Sequence, residues 1–79
     1  MTAERVRAIL DVLGKGREPK IMAAVLAVFG ASSLEECYST YHSVGAAERA
    51  TLNEAVERVT AKASTSFLLS VDNKLASPG

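Results

Sequence analysis

A nine-residue apolar run, Ile21 to Phe29, sits between a proline and a glycine: Pro19-Lys20, then Ile-Met-Ala-Ala-Val-Leu-Ala-Val-Phe, then Gly30. No other feature of this chain narrows its fold so much. Pro19 suits the first turn of a helix, where its missing N–H would have no intrahelical partner anyway. Gly30 suits the helix end, because it takes left-handed dihedrals at least cost. A helix that is apolar nearly all round belongs in an interior. The run is therefore expected to be the central, most buried helix.

The residues on either side read as elements packed onto it. Ser32 and Ser33 each precede a glutamate by three positions, so a capping box with Glu35 or Glu36 is available in either register. Leu34, Cys37, Tyr38 and Tyr41 then fall on one helical face, and Gly45 ends that helix. Upstream, Val6, Ile9, Leu10 and Leu13 make the apolar stripe of a first helix, stopped by Gly14-Lys15-Gly16. Downstream, Ala46 to Leu75 contains no Gly or Pro. Leu52, Val56, Val59, Ala63, Phe67, Val71 and Leu75 recur along it every three or four residues. Ser64-Thr65-Ser66 is its weak point, since small hydroxyl side chains compete for backbone hydrogen bonds and can bend or split a helix. The expected fold is all-α: one helical domain over residues 1–76, a small bundle of four helices with a long C-terminal helix, or five if that helix splits. Residues 77–79 are expected to be a frayed tail.

With 79 residues the chain is one domain with a narrow stability margin, although 48% of it is hydrophobic. Nine basic side chains balance nine acidic ones. Residues 1–30 hold a mild basic excess in Arg5, Arg7, Lys15, Arg17 and Lys20, and these are the candidate contacts if the protein is a small helical nucleic-acid-binding regulator. The charge pattern is too even for a polybasic footprint, so nucleic acid is not the expected partner. The helix after Gly30 opens with Glu35 and Glu36, which a phosphate backbone would repel. A lone cysteine excludes an internal disulfide framework and suits a reducing compartment. The apolar run is too short for a membrane span. It also follows about twenty residues that include Glu4, Asp11 and Glu18, unlike the short basic start of a secretory signal. An intracellular, cytoplasmic location with no membrane contact is expected.

Chemistry is sparse. Cys37 and His42 are five apart, about 140° around a helix axis, and do not converge on a metal or a substrate. No phosphate-binding loop is present, since Gly14-Lys15-Gly16 lacks the required spacing. No catalytic, metal or cofactor site is expected, and the protein is read as a non-enzyme. Residues 18–56 resemble the last helices of a retroviral-type capsid C-terminal domain. The likeness rests on Glu18-Pro19 before a helix, on Ser33-Leu34-Glu35-Glu36, and on Val44-Gly45. That resemblance implies a self-assembling shell protein with its dimer helix at Val6–Leu13.

The leading expectation is a protein-interaction or assembly module that associates with itself or with another protein. A C-terminal helix of about 45 Å outreaches the three shorter helices before it. Its second half either folds back at Ser64–Ser66 or meets a second chain. The reading favours the second arrangement, with Phe67, Leu68, Val71 and Leu75 as the interface.

Overall fold

A computed structural model describes residues 3–16 and 18–76. These residues form five helices: α1 (Ala3–Leu13), α2 (Pro19–Phe29), α3 (Leu34–Ser43), α4 (Ala46–Thr60) and α5 (Thr65–Ala76). They pack into a bundle-like body of 30 × 27 × 20 Å. Among the described residues there is no strand, and Phe67–Val71 is helical. The all-α expectation holds. The tail at 77–79 lies outside the described residues.

The helix ends follow local chemistry. Gly30 takes φ 62°, ψ 33° and closes α2. Its N–H donates to the Ala27 carbonyl at 3.1 Å, and the Ala31 N–H donates to Leu26 at 3.0 Å. This wrapped end satisfies carbonyls the helix leaves open. Of the two registers available for the next cap, the chain uses Ser33. Its Oγ accepts from the Glu36 N–H at 3.2 Å, while Glu36 Oε2 accepts from the Ser32 N–H at 3.2 Å.

Two expectations are corrected. The first concerns the centre of the fold, which is α1 and not α2. Val6, Ala8, Ile9, Leu10, Val12 and Leu13 are all buried on α1, against Val25 and Phe29 alone on α2. The reason is position. α1 is packed on by each of the other four helices, whereas α2 lies mainly along α4 and meets α1 and α3 less extensively. The second concerns the arrangement favoured for the C-terminal half, reaching out to a second chain: of the two alternatives left open, the chain takes the split into two helices. The backbone leaves the helical path over Ala61–Ser64, and α5 folds back along α1. Ser64 caps α5, with its Oγ accepting from the Phe67 N–H at 3.1 Å. The cap is itself held from a distance: Glu18 Oε1 accepts from the Ser64 N–H at 3.3 Å and also from the Ser64 hydroxyl.

That fold-back places Phe67 and Val71 at 2% and 0% exposure inside the core. Burial in the molecule's own core removes them as anchors for a partner in this arrangement. The dimer helix that the capsid resemblance implied at Val6–Leu13 is likewise internal.

Candidate functional site

Of the residues proposed as an interface, Leu68 is half-buried against the core and Leu75 is 39% exposed. Leu69, which periodicity did not single out, is the most exposed large apolar side chain among the described residues at 57%. On α5 it stands beside Asp72 and Asn73, both exposed, so it is an isolated surface leucine and no patch.

The basic residues do not assemble into one surface. Arg5 Nη1 is held by Asp72 Oδ1 of α5 at 3.1 Å. Arg7, two residues on, projects roughly 200° around the helix from Arg5 and is exposed. Lys15 is exposed in the turn after α1, and Lys20 is exposed in the first turn of α2. Arg17 lies outside the described residues. Arg7 lines an open groove between α1 and α5 with Glu4, Asp11 and Lys74. Two cations face two carboxylates there, which leaves no net pull on an anion.

Asp11 is the busiest group in that groove. Its Oδ1 accepts from the Tyr38 hydroxyl, and its Oδ2 lies 3.6 Å from Lys74 Nζ. The Tyr38 phenol is pushed well above the usual tyrosine range, first by burial and then by its hydrogen bond to the Asp11 carboxylate. This cluster ties α1, α3 and α5 together. The Cys37 thiol is fully buried and also pushed up, first by burial and then by the charge of Glu36. A buried thiol held protonated is an inert core residue and a poor nucleophile. His42 is exposed one residue past Tyr41, with the two rings edge-on at 6.3 Å.

Residues missed by sequence reasoning hold the α3–α4 corner. Arg49 Nε donates to the Tyr41 carbonyl at 3.0 Å, and Arg49 Nη2 donates to Val44 at 2.9 Å. The Arg49 guanidinium also sits 5.5 Å from the centre of the Tyr41 ring. The Tyr41 hydroxyl donates to Asn53 Oδ1 at 2.6 Å. One arginine thus closes the end of α3 and fixes the start of α4. Its only sequence signal is a charge near a helix start, where cations are disfavoured.

Among the described residues no group of three or more His, Cys, Asp or Glu side chains is placed to hold a metal ion. The feature that stands out is apolar. Ile21 to Phe29 carries no polar side chain, yet Ala23 and Ala27 are exposed, while Ile21, Met22, Leu26 and Val28 are partly buried against the core. Within Pro19–Ser43, an 18-residue window reaches a mean hydropathy of 1.4, enough for a membrane span by composition, with only 17% of it buried. Gly30 and the Ser33 cap divide that stretch into helices of 11 and 10 residues. Each is about 15–17 Å long, roughly half of a hydrocarbon core. The outer face of α2 is therefore the candidate functional surface. No protein-family profile, curated protein or solved structure matches this chain.

Proposed function

We propose that this protein is a small non-enzymatic interaction module that self-associates through the outer face of α2. One observation carries the reading: a helix apolar from Ile21 to Phe29 fully buries only Val25 and Phe29, packs Ile21, Met22, Leu26 and Val28 partly against the core, and turns Ala23 and Ala27 to the surface. Helices of that composition normally find cover on every side. The exposed side chains at the centre of the face, Ala23 and Ala27, are small enough for a second helix to lie close.

Charge supports a second copy, packed antiparallel. In such a pair Lys20 of one molecule lies near the Gly30 end of the other helix. There it meets the negative end of that helix, with the exposed Glu35 and Glu36 at the start of α3 beyond it. Phe29, Tyr41 and Arg49 brace α2 from behind, since the Phe29 and Tyr41 rings stack edge-on at 6.3 Å and Arg49 covers Tyr41.

Sedimentation equilibrium from 1 to about 100 μM tests the reading. The expected result is a monomer–dimer equilibrium that Ala27→Glu shifts to monomer while the far-UV circular dichroism stays unchanged. Glutamate is a good helix former at an exposed position, so loss of the dimer would report the face and not the fold. A strict monomer across the range, or a dimer indifferent to Ala27→Glu, overturns it.

A further inference from the structure

We infer that α5 can be exchanged between two copies of this chain. The bend at Ala61–Ser64 straightens, α4 and α5 join into one helix, and Phe67 and Val71 enter the α1 surface of the other molecule. This exchange uses a different part of the molecule from the outer face of α2 and stands without it.

Three observations meet at the bend. The residues there are Ala61, Lys62, Ala63 and Ser64, with no glycine or proline to forbid a helix, and Ala61 already has helical dihedrals of φ −59°, ψ −23°. The apolar stripe runs through it in the register of a single helix: Leu52, Val56, Val59, Ala63, Phe67, Val71. And α5 packs chiefly on α1, so it can leave as a unit and find the same surface on a second chain. The local sequence thus also accommodates one helix of about 46 Å from Ala46 to Ala76. The closed form is held bent at the joint by the Ser64 cap on Phe67 and by Glu18 gripping Ser64.

Energetics place the control at the joint. Closed and exchanged forms share the same α1–α5 contacts, so those terms cancel. What remains is the difference between a bent and a straight joint, set against an effective concentration of order millimolar for the closed form. Removing a serine cap shifts a helix-end equilibrium about fivefold. A dimer has two joints, so Ser64→Ala is expected to tighten dimerisation about thirtyfold. Thr65→Pro acts in the opposite sense. Thr65 is the first residue of α5, where proline is tolerated, but within a continuous helix proline would clash with the carbonyl four residues before it.

A charge-complementation experiment tests the exchange directly. One chain carries Arg5→Asp and the other Asp72→Arg, breaking the 3.1 Å pair in each monomer with like charges. In an exchanged heterodimer both α1–α5 surfaces regain opposite charges. The two chains are unfolded together in urea, refolded and analysed by light scattering and native mass spectrometry. The expected result is a heterodimer enriched at least tenfold over either homodimer, lost when both chains also carry Thr65→Pro. In the otherwise natural chain, Ser64→Ala is expected to raise the dimer fraction and Thr65→Pro to lower it. A heterodimer that survives Thr65→Pro shows docking without exchange and overturns the inference. So does a mixture that stays monomeric while Ser64→Ala leaves the natural chain's association unchanged. Sensitivity to Thr65→Pro combined with indifference to Ala27→Glu would leave the exchange standing and remove the α2 surface.

Discussion

Phe67→Ala is the most informative single truncation, because Phe67 is where the fold-back of α5 is decided. The ring is 2% exposed and belongs to the same core as Val6, Ile9 and Leu10 of α1. Deleting a buried phenylalanine ring removes its transfer free energy and leaves a cavity, about 3–5 kcal/mol together. A domain of 79 residues has roughly 4–12 kcal/mol in total. The variant should therefore lose a large part of its stability. Urea denaturation followed by circular dichroism at 222 nm reads the loss as a lower midpoint. With a slope of about 1 kcal/mol per molar for so small a domain, the midpoint falls by roughly 3 M or more, or the chain is unfolded from the start. Leu69→Ala is the matched control on the same helix. At 57% exposure it should stay within about 0.5 kcal/mol of the natural chain. Equal midpoints for Phe67→Ala and the natural chain would refute the placement of α5 on α1, and with it the fold-back at Ala61–Ser64.

Other consequences are separately measurable. Ser33→Ala removes the oxygen that accepts from the Glu36 N–H and should cost about 1 kcal/mol in the same denaturation assay; Ser32→Ala, one residue off the cap, should cost less. Tyr38 has a folded pKa above its unfolded value, so its neutral form belongs to the native state. That contribution is fully present below about pH 10 and is lost as pH climbs past it, lowering the urea midpoint in alkali. In a Tyr41→Phe background, phenolate absorbance should rise only well above pH 10 in the folded protein, and Asp11→Asn should bring that rise to lower pH. Cys37 should react with an aromatic disulfide reagent only slowly in the native protein and rapidly in denaturant, because the thiol is buried and its pKa is raised.

What the sequence determined by itself is local. Pro19 and Gly30 bound α2, Ser33 and Glu36 start α3, and the stripes of Val6–Leu13 and Leu34–Tyr41 mark the buried faces of α1 and α3. Each of these rests on residues within a turn or two of one another, where backbone geometry and capping hydrogen bonds act without help from the rest of the chain. Tertiary structure decided which helix is central. Apolar composition shows that α2 resists water, but only packing from all sides puts α1 in the middle and leaves Ala23 and Ala27 outside. It also decided the joint between α4 and α5. Periodicity runs straight through Ala61–Ser64; the local Ser64 cap on Phe67 offers a break, and Glu18, 46 residues away, grips that cap while the α1 surface receives Phe67 and Val71. The charges divide in the same way: Arg5 counts as part of a basic cluster along the chain, and as the partner of Asp72, 67 residues distant, in the fold. Pairings over such separations leave no local pattern, because the residues that make them become neighbours only when the helices have packed.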